Sequence, residues 1–176
     1  MNYFVTADYH LGHGDIIDLV PRPFKSLEEM NEKIIKAHNS RVKPDDIVFH
    51  IGDFCFYGKS DSGMKVKAKE WLSQLNGQII LLRGNHDSNN NVKTIIESLE
   101  VGFGGYRIFL THNPDDYNPK FKINLVGHVH GNWHLRKIED SILFNVGIDV
   151  NNYMPLKLSE VLYKIEKFKK ECLTFD

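Results

Sequence analysis

Short runs of apolar residues recur along the chain, and each has the length of a β-strand. The runs are rich in Val, Ile, Leu and Phe, and glycine, asparagine or aspartate bounds them. Their apolar residues are continuous rather than alternating, which is typical of strands buried on both faces in α/β proteins. This pattern predicts six strands: Tyr3–Ala7, Ile47–Ile51, Gln78–Leu82, Arg107–Leu110, Lys122–Val126 and Ile142–Val146.

Helical patterns separate the earlier runs. Ser26-Leu-Glu-Glu29 has the form of a capping box and predicts a helix that reaches about Asn39. Three further helices are predicted: one from Asp61 or Ser62 through Leu75, one capped by Ser88 that includes Val92, Ile95, Ile96 and Leu99, and one capped by Ser159 with Val161, Leu162, Ile165 and Phe168 on its buried side.

The order of these elements predicts an α/β fold in one domain, residues 1–176. The later strand runs follow one another closely, which favours antiparallel pairing in the second half of the chain. Two irregular segments, Tyr9–Lys25 and Tyr57–Gly63, are long enough to be loops that cover a functional site.

Composition narrows the class of protein. With 176 residues, 41% hydrophobic and 26% charged, the chain resembles an ordinary soluble globular domain. No run approaches the roughly 18 apolar residues that span a membrane, and the first ten residues lack a signal-peptide pattern, so we expect a cytoplasmic protein without a membrane partner. Cys55 and Cys172 form no disulfide framework, which suits a reducing compartment. Because the net charge is −1, we do not expect the chain to bind nucleic acid stably through its phosphates.

Histidine, aspartate or asparagine follows five of the six runs at the carboxyl end. The carboxyl ends of strands in an α/β sheet converge on a shared crevice, so these side chains are expected to meet in space. They stand in the segments Asp8-Tyr-His10, Gly52-Asp53, Gly84-Asn-His-Asp87, Thr111-His112 and Gly127-His-Val-His130.

Imidazole, carboxylate and amide donors without cysteine indicate a nitrogen and oxygen metal site. Seven or eight donors exceed the need of one ion, but they suit two ions that share a carboxylate and activate a water molecule between them. The glycines beside these donors, Gly52, Gly84 and Gly127, suit tight turns and close backbone approach.

At these five segments the chain resembles the calcineurin-like metallophosphoesterases, whose ordered signature is D-x-H, G-D, G-N-H-[DE], a single H and G-H-x-H. The likeness extends from residue 3 to about residue 150. It is greatest to the small bacterial and phage phosphoesterases of the superfamily, which share stretches like Arg22-Pro-Phe24 and Asn145–Val150. The resemblance implies a four-layer α/β-β/α sandwich of two mixed sheets flanked by helices.

The resemblance also implies the roles of the ligands. Asp8, His10, Asp53 and His130 would hold one metal ion, and Asp53, Asn85, His112 and His128 would hold the other. The implied reaction is in-line attack on a phosphodiester or phosphomonoester by a hydroxide that bridges the two ions. The ions would be divalent transition metals, with manganese the first expectation and iron, zinc, cobalt or nickel possible.

His86 is not a ligand in the family pattern and is expected to contact the phosphate and to assist the leaving group. Asp87 is expected to orient His86 or to cap the helix after it. His13 and Arg22, in the loop after the first motif, are candidates for contact with the substrate phosphate, and an ordinary solvated position is the alternative for both. His50 is expected in the core with a hydrogen bond to its ring, and His38 and His134 are expected on the surface.

Three functions follow from this resemblance. The first is a phosphoesterase acting on a small phosphoester, with diester hydrolysis preferred. The second is a non-catalytic binding scaffold on the same fold, which the complete set of ligands disfavours. The third is a nuclease, which the near-zero charge disfavours. The physiological substrate and the oligomeric state are not predicted.

Overall fold

The structure is a computed structural model that describes residues 1–58, 64–87 and 92–173. Within these ranges the strands are β1 (Tyr3–Thr6), β2 (Ile47–Ile51), β3 (Gln78–Leu82), β4 (Ser98–Phe103), β5 (Tyr106–Thr111), β6 (Ile123–Val126), β7 (Leu135–Ile138), β8 (Ser141–Asn145) and β9 (Leu156–Lys157). The α-helices of the same ranges are α1 (Ile16–Leu19), α2 (Leu27–Arg41), α3 (Ala68–Leu72) and α4 (Leu158–Leu173). Single 3₁₀ turns lie at Pro114–Asp116 and Ile148–Val150.

The strands form two mixed sheets. The first has the order β3-β2-β1-β9, in which β1, β2 and β3 are parallel and β9 is antiparallel to β1. The second has the order β4-β5-β6-β8-β7, in which β5, β6 and β8 are parallel and the edge strands β4 and β7 are antiparallel to their neighbours. The predicted pair of mixed sheets flanked by helices is therefore confirmed.

The main core joins the inner faces of the two sheets. Successive strand residues point to opposite faces, so Val5 and Ala7 of the first sheet enter this core while Phe4 faces a cluster with Val42 at the end of α2. Buried side chains of β5, β6 and β8, together with Val161 and Ile165 of α4, complete the core. Both faces of the first sheet are thus covered, as its continuous apolar runs predict.

The antiparallel pairing expected in the second half is wrong for the three predicted strands there. Ile108 pairs with Ile123 and Ile123 pairs with Ile142, and both ladders are parallel. The short connections reverse direction without a crossover helix. A loop with a 3₁₀ turn links β5 to β6, and the edge strand β7 links β6 to β8.

The predicted third helix is wrong where the structure describes it, and Ser88 lies outside the described residues. No helix occurs between Val92 and Glu97, and Leu99 belongs to β4. The hydroxyl of Thr94 donates a 2.6 Å hydrogen bond to the Leu81 carbonyl and accepts one from the Ile96 N–H, which holds this segment beside β3. Val92 is buried and Ile96 and Leu99 pack against the main core, but Ile95 is 90% exposed, so the four apolar residues do not share one buried face.

The second predicted helix is shorter than expected, and its predicted start at Asp61 or Ser62 lies outside the described residues. The described part is helical only in α3, and Met64, before α3, donates its backbone N–H to the Gly12 carbonyl in the loop after β1. The capping box is confirmed, since the Ser26 hydroxyl accepts from the Glu29 N–H at the start of α2. The last helix begins at Leu158, one residue before its predicted cap.

Two of the histidines outside the motifs, His38 and His134, are more buried than expected. His38, predicted on the surface, is buried on α2 and lies 2.8 Å from both the Tyr9 hydroxyl and the Asn76 carbonyl. His134 is half-buried against the Phe144 ring, so its predicted surface position is also wrong. His50 lies in the core as predicted, but neither ring nitrogen has a hydrogen-bond partner among the described residues.

Every helix in the described ranges is too short or too polar to cross a lipid bilayer.

Candidate metal centre

The carboxyl ends of five strands from both sheets meet at one edge of the sandwich. Backbone hydrogen bonds join the loops that leave these strands. Asp8 N–H donates to the Gly52 carbonyl, and Gly127 N–H donates to the His112 carbonyl. The His128 N–H donates to the Asp8 carboxylate at 3.0 and 3.1 Å, which connects the first sheet to the second. The predicted convergence of the polar strand ends is what the structure shows.

One group of donors contains Asp8, His10 and His130. A potential ligand atom from each lies within 4.8 Å of those from the other two. Asp8 and His10 are buried, and His130 is partly buried. This is one of the two donor sets expected from the sequence, apart from the shared Asp53.

A second group contains Asp53, His112 and His128, with the same spacing limit of 4.8 Å. Asn85 completes it, because its amide oxygen lies 2.9 Å from His112 Nε2 and 2.9 Å from His128 Nδ1. Carboxylate, amide and imidazole atoms thus surround one point, in a mixture that suits divalent transition metals.

Asp53 lies between the two groups. Its Oδ2 atom is 3.5 Å from His10 Nε2 in the first group and 3.4 Å from His112 Nε2 in the second. Its other oxygen accepts a 2.9 Å hydrogen bond from the His86 N–H, which fixes the orientation of the carboxylate. One carboxylate oxygen therefore faces both donor groups at once.

The backbone of this centre is strained at the donor residues themselves. Asp8, His10, Asp53, His128 and His130 have φ angles between 46° and 70°, in the left-handed region. Each such non-glycine residue costs roughly 1–2 kcal/mol, and strain of this kind concentrates at functional sites. The fold accepts this cost at five of the seven predicted ligands.

Burial and mutual charge shift the protonation of the donors. Burial raises the pKa of Asp8 to about 6, and it lowers the pKa of His10 well below the usual value. Burial acts to raise the pKa of Asp53, but the neighbouring His112 outweighs it and holds the pKa well below the usual range. Burial also acts to lower the pKa of His112, but the carboxylates of Asp53 and Asp8 raise it to about 9.

The donor set fits divalent cations. Two carboxylates, Asp8 and Asp53, are buried next to each other, and such charges need positive partners in a medium of low dielectric constant. His10 Nε2 is buried without a hydrogen-bond partner among the described residues, although it points toward Asp53. A cation between these atoms would satisfy both, and its binding would displace the proton of His112.

His86 and His13 lie beside the first donor group. The His86 side chain is exposed, and its ring centroid is 5.5 Å from that of His10. The His13 ring stacks on Phe56 at 4.4 Å, and its Nδ1 lies 3.4 Å from His10 Nδ1. Both imidazoles are therefore close enough to the donor groups to reach a bound anion.

Arg22 is placed differently from its expected role. Its guanidinium pairs with both carboxylate oxygens of Asp149, at 2.9 and 3.0 Å, and donates to the carbonyls of Asp8 and Tyr9. The remaining donor contacts the sulfur of Met30 at 3.5 Å. All five N–H bonds are thus directed at protein atoms, and none is available to a substrate phosphate.

Asp87 supports the loops and caps no helix in the described residues. Its carboxylate accepts three backbone N–H bonds, from Asp53, Phe54 and Gly84, at 2.8 to 3.0 Å. It therefore ties the second motif to the third, and neither of its expected roles describes these contacts.

Asn145–Val150 supports the donor residues, a role that the sequence pattern does not indicate. Asn145 Nδ2 donates to the His130 carbonyl, and the Asp149 carboxylate lies 2.8 Å from His130 Nδ1. A Cβ atom at Gly147 would lie 2.6 Å from the Asp8 carboxylate, so only glycine fits there. The family resemblance identified this stretch but gave no role to its side chains.

The fold and the donor set together define a metallophosphoesterase type of protein. The chain belongs to the calcineurin-like phosphoesterase superfamily, because the model of that superfamily domain matches residues 1–151.

The chain is also similar to proteins from an archaeon, a phage and a bacterium. An uncharacterized protein of Methanocaldococcus jannaschii is 34% identical over 174 residues, which cover 94% of this chain and 92% of that protein. The gene 66 protein of Mycobacterium phage L5 is 30% identical over 86 residues, which cover 49% of this chain and 40% of the phage protein. A crystal structure of an Aquifex aeolicus protein of unknown function matches with a TM-score of 0.65 and 24% identity, over 91% of this chain and 97% of that one. This last likeness concerns the fold alone.

Proposed function

We propose that the protein is a dinuclear metal-dependent phosphodiesterase that acts on a small phosphodiester. The observation that carries the dinuclear part is the position of Asp53 Oδ2, which faces His10 of one donor group and His112 of the other. When bound, two divalent cations would supply an activated water molecule near neutral pH and would neutralise charge on the phosphate. Manganese is the ion that we propose for the highest activity, since mixed sets of oxygen and nitrogen donors accept it.

The side chains of the centre then have distinct roles. The loops after β1, β2, β3, β5 and β6 hold the donors in place, so little rearrangement accompanies the reaction. His86 is exposed in the cleft and is proposed to donate an imidazole proton to the leaving ester oxygen. His13 remains a candidate for contact with a phosphate oxygen, from its position beside His10.

Two depressions beside the donor groups favour a diester over a monoester. The histidine-side depression has a volume of about 420 Å³, and its wall consists of Leu19, Val20, Pro21, Val129, Gly131 and Asn132 beside His128 and His130. The asparagine-side depression has a volume of about 260 Å³ and is lined by Arg83, Gly84, Asn85, Glu97, Thr111, His112, Asn113 and Asp116.

The two depressions adjoin where Asn85 Oδ1 meets His128 Nδ1, at 2.9 Å. A phosphate at this point could direct one ester group into each depression, whereas a monoester has only one such group. Among the described residues, the histidine-side wall carries no lysine or arginine, and Arg83 in the other depression is paired with Glu97. This lining favours a small substrate over a nucleic-acid strand, which needs a basic track.

The test compares hydrolysis of bis-p-nitrophenyl phosphate with that of p-nitrophenyl phosphate, across Mn²⁺, Fe²⁺, Zn²⁺, Co²⁺ and Ni²⁺. We expect the diester to be the better substrate, and we expect Asp53→Asn to abolish turnover of both. No turnover of either substrate with any metal would contradict the proposal and favour a binding scaffold.

A charge at the rim of the histidine-side depression tests the diester part separately. Leu19 is 73% exposed there, so Leu19→Glu should preserve the fold and raise the KM for the diester, because the new carboxylate repels the phosphate. Tyr163→Glu is the matched control, since Tyr163 is equally exposed and lies on α4. Equal effects of the two changes would remove the support that this depression gives to the diester assignment.

A further inference from the structure

We infer that the Arg22–Asp149 pair is a positioning device for one donor group only, the group of Asp8, His10 and His130. This inference rests on the proposed dinuclear function. Arg22 and Asp149 are not ligands themselves, but they would hold the ligands of one of the two ion sites in position.

Asp149 determines which nitrogen of His130 faces the donor group. Asp149 Oδ2 lies 2.8 Å from His130 Nδ1, so the ring must carry its proton on Nδ1 to donate this hydrogen bond. The lone pair of Nε2 is then left for a metal ion. A carboxylate behind a ligand histidine fixes its tautomer and its orientation and increases its basicity.

Arg22 fixes Asp149 and, with the same guanidinium, the backbone of the other two ligands. Its Nε and Nη2 bind the two oxygens of Asp149, while Nη2 also donates to the Asp8 carbonyl at 2.8 Å and Nη1 to the Tyr9 carbonyl at 3.1 Å. These carbonyls belong to the D-x-H loop, in which Asp8 and His10 have left-handed backbone conformations. The guanidinium is buried, so water competes little for these contacts.

The second donor group has separate support. His112 Nδ1 lies 2.9 Å from the Ile51 carbonyl, which orients this ring through the backbone of β2. Among the described residues, Arg22 and Asp149 form no hydrogen bond or ion pair with Asn85, His112 or His128. Loss of the Arg22–Asp149 pair should therefore weaken the two ion sites unequally.

The experiment measures Mn²⁺ affinity by isothermal titration in two single-site backgrounds. His112→Ala leaves the first donor group intact, and His10→Ala leaves the second intact. We expect Asp149→Asn to weaken Mn²⁺ binding about 10- to 100-fold in the His112→Ala background and to leave it unchanged in the His10→Ala background. Arg22→Lys should give a smaller effect in the same direction, because it keeps the charge but loses the bidentate geometry.

Asp46→Asn is the control for a general loss of stability. Asp46 is also buried, and it accepts backbone hydrogen bonds from Asn2 and Lys43. The Asp46→Asn substitution should lower thermal stability without a change in Mn²⁺ affinity in either background.

The outcomes separate this inference from the function on which it rests. The positioning role would be overturned if Asp149→Asn and Arg22→Lys weakened Mn²⁺ binding equally in both backgrounds, or in neither. The dinuclear proposal would then stay intact. Failure of the wild-type protein to bind Mn²⁺ at all would overturn both. If Asp149→Asn does not fold, Arg22→Lys alone decides the question.

Discussion

The position of Asp53 depends on the absence of a side chain at Gly84, and Gly84→Ala tests that dependence. A Cβ atom at Gly84 would lie 2.2 Å from Asp53 Oδ1 and 2.3 Å from the Asp53 backbone nitrogen. The φ angle of Gly84 is not in the left-handed region, so alanine introduces steric conflict without backbone strain of its own. Ordinary contacts of a Cβ atom begin at 3.4 Å, so the carboxylate must retreat by about 1 Å.

A displacement of this size should be costly at a shared ligand. A misplacement of about 1 Å in a catalytic arrangement can cost about 10²-fold in rate. Overpacking of a filled site costs about 1–3 kcal/mol of folding free energy. We therefore expect Gly84→Ala to lower turnover about 100-fold and to weaken Mn²⁺ binding at both sites, because Asp53 Oδ2 faces both donor groups.

The assay combines diester hydrolysis, Mn²⁺ titration and thermal unfolding with and without a chelator. Gly102→Ala on β4 is the matched control, since no heavy atom lies within 4 Å of a Cβ atom at that position. Wild-type turnover and wild-type Mn²⁺ affinity in Gly84→Ala would refute the placement of Asp53 as the shared carboxylate.

Three further predictions concern His86, Asp87 and His50. His86→Ala should lower turnover about 10²- to 10⁴-fold, because the exposed His86 ring is proposed to donate a proton to the leaving group. The metal content, measured by atomic absorption, should stay at the wild-type level. Loss of metal would instead make His86 a ligand. Asp87→Asn should destabilise the protein by about 2–3 kcal/mol in urea unfolding, because an amide cannot accept all three backbone N–H bonds. The control Glu97→Gln, at an exposed ion pair, should change the free energy of unfolding by less than about 0.5 kcal/mol. Equal effects of the two changes would contradict the role of Asp87 in joining the loops. Burial lowers the pKa of His50 to about 3, so the unfolded chain binds a proton as the pH falls below about 6.5 while the folded chain does not. This contribution to stability, on the order of 4–5 kcal/mol, is complete above pH 6.5 and is lost between about pH 6.5 and 3. With a chelator present, the free energy of unfolding of His50→Gln should therefore decline less steeply over this pH range than that of the wild type. Parallel declines would contradict the lowered pKa of His50.

The sequence predicts six of the strands well, and most of them are buried on both faces. β3 is an edge strand of the first sheet with mostly half-buried residues, but its apolar run is continuous as well. The runs that became β1, β2, β3, β5, β6 and β8 are continuous in apolar residues, and strand ends gather their polar neighbours at one edge of the fold. The candidate ligands could be chosen from this pattern and from the ordered motifs. The structure brings them together in two groups, one of Asp8, His10 and His130 and the other of Asp53, Asn85, His112 and His128.

The edge strands of the second sheet, β4 and β7, could not be predicted in the same way. Residues of β4 alternate between exposed and half-buried positions, and β7 carries Arg136 and Lys137 on an exposed edge, so neither contains a continuous apolar run. The direction of pairing in the second sheet depends on connections through these edge strands and loops, which the spacing of apolar runs does not encode. For the same reason, the closely spaced later strands are parallel where antiparallel pairing is expected from their spacing.

The supporting residues of the site are hidden for a different reason. Arg22 and Asp149 are 127 positions apart, and their contact depends on the meeting of a loop after β1 with a 3₁₀ turn after β8. Arg22 has the charge expected of a phosphate-binding residue, but only the three-dimensional contacts show that its donors are engaged by protein atoms.

The most direct test of the dinuclear centre is an anomalous-scattering measurement on crystals grown with Mn²⁺. A dinuclear centre should give two manganese peaks about 3.5–4 Å apart with Asp53 between them. One peak should lie beside Asp8, His10 and His130, and the other beside Asn85, His112 and His128. A single peak, or peaks away from these residues, would contradict the dinuclear proposal.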